Sequence, residues 1–204
     1  EEVRQRGLDI VVAIDISKSM LAGDIQPNRL ARAKLAAMDL LQQARSDRLG
    51  LVAFSGSAFL QCPLTVDDSV FRQSLDGLDV NTISRGGTAI SAAIETAMSA
   101  FTQEDNYKVL VLLTDGEDHD SGALEAARQA AAKGLEIFTI GVGTPDGDLI
   151  RVPDAAGKSD FVRDENGNVV KSRLNERILQ ELAGASKRGF YLPLRGAKVI
   201  DTLY

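Results

Sequence analysis

The sequence predicts an α/β fold: a doubly wound, mostly parallel central sheet flanked by helices, with a small inserted β-hairpin, in a single domain over residues 1–204. Two observations predict it. Leu8–Ile14 (LDIVVAI) is a continuous apolar run with β-branched residues, as a strand buried on both faces requires, and Leu49–Phe54 (LGLVAF), Val109–Leu113 (VLVLL) and Leu135–Val142 (LEIFTIGV) read as further strands. Between them lie segments whose apolar residues recur at helical spacing. With 204 residues, 44% hydrophobic and 25% charged, the chain buries roughly 70% of the surface it exposes when unfolded, enough for a core without staples.

In chain order, Leu8–Ile14 is the first strand. A helix follows over Asn28–Arg45, where Leu30, Ala33, Ala37, Leu41 and Ala44 share a face and Asn28 stands at the N-cap after the breaker Pro27. Leu49–Phe54 is the second strand, with Ala58–Cys62 a short antiparallel partner across Ser55-Gly56-Ser57. Asp68–Leu75 reads as a short helix, and Thr88–Phe101 as an alanine-rich one entered through Gly86-Gly87. The strand Val109–Leu113 leads to a helix over Gly122–Ala132, ended by Gly134, and then to the strand Leu135–Val142. Residues 143–173 break this rhythm: rich in Gly, Asp and Pro, they read as an inserted β-hairpin, its turn at Asp164-Glu165-Asn166-Gly167-Asn168 marked by the Asn-Gly pair of a type I′ turn. Leu174–Ala185 returns to helix, Gly189–Leu192 to a short strand, and Ala197–Tyr204 to a helix that stops in mid-pattern. A chain that begins at Glu1 and stops there is expected to be a piece of a longer protein.

Composition removes several function classes. One cysteine, Cys62, excludes an internal disulfide and an all-cysteine zinc cluster, and one histidine, His119, excludes a site built from several histidines. A net charge of -6 argues against nucleic acid or an anionic membrane as the main partner. No apolar run approaches the ~20 residues that span a bilayer.

In open α/β sheets, ligands bind outside the carboxyl ends of the strands. Three loops converge there, carrying Asp15, Ser17 and Ser19 after the first strand, Thr88 after Gly86-Gly87, and Asp115 after the Val109 strand. Two carboxylates and three hydroxyls are hard oxygen donors, suited to Mg²⁺, Mn²⁺ or Ca²⁺. Crowded carboxylates also call for a cation, since each raises the other's pKa. Asp15, Ser17 and Ser19 taken alone would equally suit a helix cap or turn; joined with Thr88 and Asp115 they favour a metal. Asp24 reads as a turn residue or solvated acid, and Glu117-Asp118-His119-Asp120 as an acidic run opening the next helix, with His119 facing solvent. Cys62 reads as a buried small apolar residue.

D-I-S-K-S at Asp15–Ser19, G-G-T-A at Gly86–Ala89 and L-L-T-D-G-E at Leu112–Glu117 resemble the von Willebrand factor A domain. The resemblance implies that Asp15, Ser17, Ser19, Thr88 and Asp115 form a metal-ion-dependent adhesion site (MIDAS). Ser17, Ser19 and Thr88 would then be direct or near-direct ligands, Asp15 and Asp115 would often act through water, and a partner protein's Asp or Glu would complete the coordination. Ser19–Leu30, Asp47–Gly56, Cys62–Asp67 and the insertion are similar to the bacterial Bat (aerotolerance-related) group. That similarity implies a parent anchored in the bacterial cell membrane by flanking helices, and partners among other Bat-type proteins and a MoxR-type AAA+ ATPase system. Family members also switch between closed and open states, in which Thr88 and Asp115 change how they hold the metal.

The expected function is a metal-dependent protein–protein interaction module and not an enzyme, because no base, nucleophile or electrophile is assembled beside the ion. The alternatives are an Mg²⁺-dependent phosphoryl-transfer or hydrolase domain with Asp15 or Asp115 as nucleophile, and a structural scaffold without metal. The first normally adds a cation for the transferred charge; Lys18, between two ligands, is expected to face outward. Gly141-Val142-Gly143 with Gly147 has the wrong spacing for a dinucleotide fingerprint, no phosphate-cradling G-x-x-x-x-G-K-[ST] occurs, and Asp164, Asn166 and Asn168 lack the glycine placement of a calcium loop.

Overall fold

A computed structural model describes residues 7–102, 106–118 and 121–195. The six-stranded sheet runs in the order β10-β5-β4-β1-β2-β3, from Tyr191–Pro193 (β10), Leu135–Gly141 (β5), Tyr107–Thr114 (β4) and Leu8–Asp15 (β1) to Arg48–Phe54 (β2) and Ala58–Thr65 (β3). Every pairing is parallel except β2 with β3. The α/β reading of the sequence therefore holds. The antiparallel edge strand is longer than its apolar core suggests, reaching Thr65 rather than Cys62. Cys62 is buried, as read.

Both faces of the sheet are covered, which is why the central strands carry no polar alternation. Ile10, Val12 and Ile14 of β1 pack in one core cluster with Leu30, Ala33, Ala37 and Leu40 of α1 (Arg29–Gln43) and with Phe71 and Leu75 of α2 (Asp68–Asp76). Val11 and Ala13 pack in the other with Ile90, Ala93 and Ile94 of α3 (Ile90–Ala100), Ala123 and Ala127 of α4 (Ala123–Ala132), and Leu179 and Leu182 of α5 (Glu176–Ala183). Asn28 caps α1 as read, its side chain accepting from the Ala31 amide at 2.8 Å.

The chain leaves β1 toward β2 and β3 on one side, then crosses to β4 on the other. Neighbouring β1 and β4 thus carry loops that diverge at their carboxyl ends, the switch point where such sheets open a crevice. Their register sets Ile14 beside Leu113, so Asp15 and Thr114 end their strands side by side.

Residues 143–173, expected as one hairpin, fold as two short antiparallel pairs: β6 (Asp148–Leu149) with β9 (Lys171–Ser172), and β7 (Arg151–Pro153) with β8 (Ser159–Phe161). A single bridge joins Arg163 to Val169. The expected type I′ turn is corrected. Among the described non-glycine residues none has positive φ, so Asn166 does not adopt the conformation that turn demands, whereas Gly167 does at φ +82°. Instead, Gly167 N–H donates to Asp164 O and Asp164 N–H to Asn168 O, a type I turn closed by a left-handed glycine. The loop between β7 and β8 repeats the design: Gly157 N–H donates to Asp154 O and Asp154 N–H to Lys158 O. In each loop the leading aspartate accepts two further amides, Ala156 and Lys158 on Asp154, Asn166 and Asn168 on Asp164. The helix expected over Ala197–Tyr204, and His119, lie outside the described residues.

Candidate metal centre

Asp15 closes β1 with both carboxylate oxygens engaged: Oδ1 accepts the Ser17 amide at 2.9 Å and Oδ2 the Thr114 hydroxyl at 2.6 Å. The chain then turns into a 3₁₀ helix at Lys18–Leu21, with Ser17 at its N-cap. Ser17 Oγ makes no capping bond; it lies 3.0 Å from Ser19 Oγ, so the two hydroxyls share one side of the turn. The cap reading is thereby set aside for Ser17, while Asp15 does brace the turn through the Ser17 amide. Lys18 between them is exposed, as read.

Thr88 arrives from a separate loop that Ser55 fixes. Ser55 Oγ donates to Gly87 O at 2.9 Å, and Ser55 O accepts the Ala89 amide at 2.7 Å. Thr88 is buried, and its Oγ1 has no hydrogen-bond partner among the described residues. Asp115, wholly buried, follows β4; Oδ1 accepts the Glu117 amide at 3.0 Å and Oδ2 accepts Arg29 Nη1 at 3.0 Å. Gly116 has φ +76°, and a Cβ there would lie 2.6 Å from Asn175 O, so the turn that presents Asp115 demands glycine.

Ser17, Ser19 and Thr88 line a cleft of about 540 Å³. Its other walls include Val80 and Ile83 before α3, Ile150 from the insertion, and Glu117. Asp15 and Asp115 stand behind the hydroxyls, fully buried. Among the described residues no three His, Cys, Asp or Glu side chains gather as a metal cluster; the set here is two carboxylates with three hydroxyls.

Four polar residues at the site, Arg29, Asp24, Ser172 and Glu117, have partners that the sequence does not show. Arg29, one of several basic residues on α1, is wholly buried. Its Nε and Nη2 each donate to Asp24 at 2.8 Å, and Nη1 donates to Asp115 and to Ser172 Oγ. Asp24, expected as a turn residue or a solvated acid, lies in a bend but is no solvated acid: it is one half of a largely buried bidentate pair. Burial opposes its charge, but the Arg29 guanidinium outweighs that and holds Asp24 below the usual carboxylate range. Glu117 belongs to no helix; α4 begins only at Ala123, and Glu117 accepts the Ser172 hydroxyl at 2.8 Å.

Burial first, and the nearby Asp115 second, push the Asp15 carboxyl up to about 7, against the pull of its bonds from Ser17 and Thr114. The ordinary value is 3.8, so between the two the folded chain binds a proton that the unfolded chain has released. That contribution to stability is complete below the lower value and is lost as pH rises through about 7. Thermal melts in chelator are expected to show stability falling across this window in the wild type and a flatter profile in Asp15→Asn. Parallel profiles would contradict the assignment.

A sequence model described as von Willebrand factor type A domain matches residues 10–117, just over half of the chain. The chain belongs to the von Willebrand factor type A (VWA) domain family. Its fold follows that of a conserved hypothetical protein, BatB, from Bacteroides thetaiotaomicron, with a TM-score of 0.91 and 39% identity over 97% of this chain and 95% of that one. An aerotolerance-related membrane protein from Bacteroides fragilis, solved with multiple mutations to serines, gives 0.87 and 38% over 97% and 94%. A UPF0353 protein of Mycolicibacterium vanbaalenii is 31% identical over 151 residues, 68% of this chain and 45% of that protein; the VWA domain here spans under half the length of such curated relatives. Proximal thread matrix protein 1 from the mussel byssus, with a zinc occupied MIDAS motif, shares the fold alone: TM-score 0.70 and 20% identity over 97% of this chain and 45% of that one. No helix among the described residues is long and apolar enough to cross a membrane.

Proposed function

We propose that this VWA domain is a metal-ion-dependent protein–protein interaction module. Asp15, Ser17, Ser19, Thr88 and Asp115 would hold a divalent cation, Mg²⁺, Mn²⁺ or Ca²⁺, and a partner protein's Asp or Glu would complete its coordination. One observation carries the reading: Thr88 Oγ1 is buried without a partner, beside the cleft that Ser17 and Ser19 also line. A buried hydroxyl left unpaired costs about 1–3 kcal/mol, a cost that a ligand at this point offsets. The electrostatics support the same reading. Asp24, Asp115 and Glu117 all act on a single guanidinium, that of Arg29, and Asp15 adds a further buried carboxylate. A bound cation supplies the missing positive charge and a Lewis-acid anchor for an incoming carboxylate.

The chain's own residues divide the remaining work. Ser55 positions the Thr88 loop, Thr114 and the Ser17 amide orient Asp15, and Arg29 with the Glu117 amide orients Asp115. The cleft above presents Lys18 and Asn81 beside the apolar Val80 and Ile83, a surface for a partner segment carrying an acidic residue. Phosphoryl transfer would need a cation held in place against the transferred charge; Lys18 lines the cleft as an exposed side chain and Arg29 is buried and engaged, which favours binding over catalysis. The resemblance to BatB and to an aerotolerance-related membrane protein supports a parent anchored in the bacterial cell membrane. Bat-type proteins and a MoxR-type ATPase system are the partners we propose for it.

Calorimetric titration of Mg²⁺, Mn²⁺ and Ca²⁺ into chelator-stripped wild type and Thr88→Val tests this. The valine keeps the shape and removes only the hydroxyl. The variant should melt higher than the wild type in chelator, since it buries no orphaned group, yet bind the cation about tenfold or more weakly. A variant that melts lower in chelator and binds cation as well as the wild type would refute the reading.

A further inference from the structure

The insertion is tied to the site at both ends. At its start, Thr144 donates its amide and its hydroxyl to Asp24 Oδ2, at 2.8 and 3.0 Å. At its end, Ser172 is wholly buried; its hydroxyl accepts from Arg29 Nη1 at 2.7 Å and its carbonyl from Nη2 at 3.1 Å. A hydroxyl has one proton to give, and Ser172 gives it to Glu117 Oε1 at 2.8 Å in preference to Asp115 Oδ2 at 3.5 Å. The same Nη1 that reaches Ser172 donates to Asp115 and approaches Ser19 O at 3.4 Å. One guanidinium therefore touches two of the three ligand loops and the insertion. Gly143 permits the approach: at φ +133°, a Cβ there would stand 2.8 Å from Arg29 Nε. The insertion in turn gives Ile150 to the wall of the cleft.

Resting on the reading of this cleft as a cation site, we infer that Arg29 and Ser172 are positioning residues that couple cation occupancy to docking of the inserted segment. A cation engaging Asp115 fixes the carboxylate against which Arg29 is held. Arg29 so fixed is the partner that both Ser172 and, through Asp24, Thr144 need. With the insertion open, Arg29 and Glu117 lose Ser172, and Asp115 loses the restraint that keeps it aimed at the cleft. Cation and docked insertion therefore stabilise each other, and the dependence is reciprocal. A partner then meets the metal and the wall bearing Ile150 as one surface.

The test measures Mn²⁺ affinity by calorimetry and amide hydrogen exchange over residues 144–172, with and without Mn²⁺, in wild type and Ser172→Ala. In the wild type, saturating Mn²⁺ should slow exchange in the insertion about fivefold or more. Ser172→Ala should bind Mn²⁺ about tenfold more weakly and lose that metal-dependent protection. A merely structural serine would raise exchange equally with and without Mn²⁺ and leave affinity at the wild-type value, which would overturn the coupling. So would wild type that binds Mn²⁺ without any change in the insertion. Wild type that binds no Mn²⁺ removes the site reading itself, and the coupling falls with it.

Discussion

Arg29→Ala is expected to lose about 3–5 kcal/mol of folding stability, because it leaves Asp115 as an uncompensated charge where water does not reach and strips Asp24, largely buried, of its partner. The guanidinium is fully buried, bidentate to Asp24 and bonded to Asp115, and Ser172 depends on it twice. Arg29→Lys should recover little of this, since an ammonium cannot reproduce a fork that serves Asp24 and Asp115 together. Urea titration of the three proteins measures it. Arg177→Ala is the control: its pair with Glu181 is solvent-exposed, and its midpoint should barely move. Equal midpoints for Arg29→Ala and Arg177→Ala would show that the buried network contributes nothing.

Asp15→Asn is expected to separate folding from metal binding. The amide keeps the shape and can still accept from Thr114 or Ser17, but it carries no charge. In chelator at pH 8 the variant should be more stable than the wild type, whose carboxylate is ionised there at the cost of desolvation. With Mg²⁺ the order should reverse. A cation at a hundred times its dissociation constant stabilises the wild type by about 2.7 kcal/mol, several degrees in melting temperature for a chain this size, and should do nothing for Asp15→Asn. An equal Mg²⁺ shift in both proteins would place the binding elsewhere.

The sheet was legible because strands buried on both faces leave an apolar run without alternation, as the centres of β1, β2 and β4 do; β5, interrupted by Glu136 and Thr139, was legible from its place after a helix ended by glycine. Asp15, Ser17, Ser19 and Asp115 were legible as a group because they follow the ends of β1 and β4, where ligands converge in such sheets; Thr88, in the loop between α2 and α3, was legible from its G-G-T-A motif. The network behind them was not. Arg29 sits on an amphipathic helix among Arg32 and Lys34 and differs from them through Asp24, which carries no mark of its own, and through partners 86 and 143 residues away. Asp24 inherits the same obscurity, since its burial depends on Arg29 and Thr144. Ser172 carries no motif. Glu117 does stand in the motif T-D-G-E, but the acids that follow it favour a helix start that comes only at Ala123. The turn at Asn166-Gly167 was misread because the Asn-Gly pair was weighed without the aspartate two residues earlier. D-x-x-G recurs at Asp154–Gly157 with the same bonds, and the aspartate, by accepting two amides, selects the three-residue loop.

The most direct test of the site is anomalous diffraction from crystals grown with Mn²⁺, on wild type and Asp15→Asn. The account predicts one strong peak in the wild type at the meeting point of Ser17, Ser19 and Thr88, in front of Asp15 and Asp115, and none there in the variant. Wild-type crystals saturated with Mn²⁺ that show no peak at those hydroxyls, or an equal peak in Asp15→Asn, would contradict it.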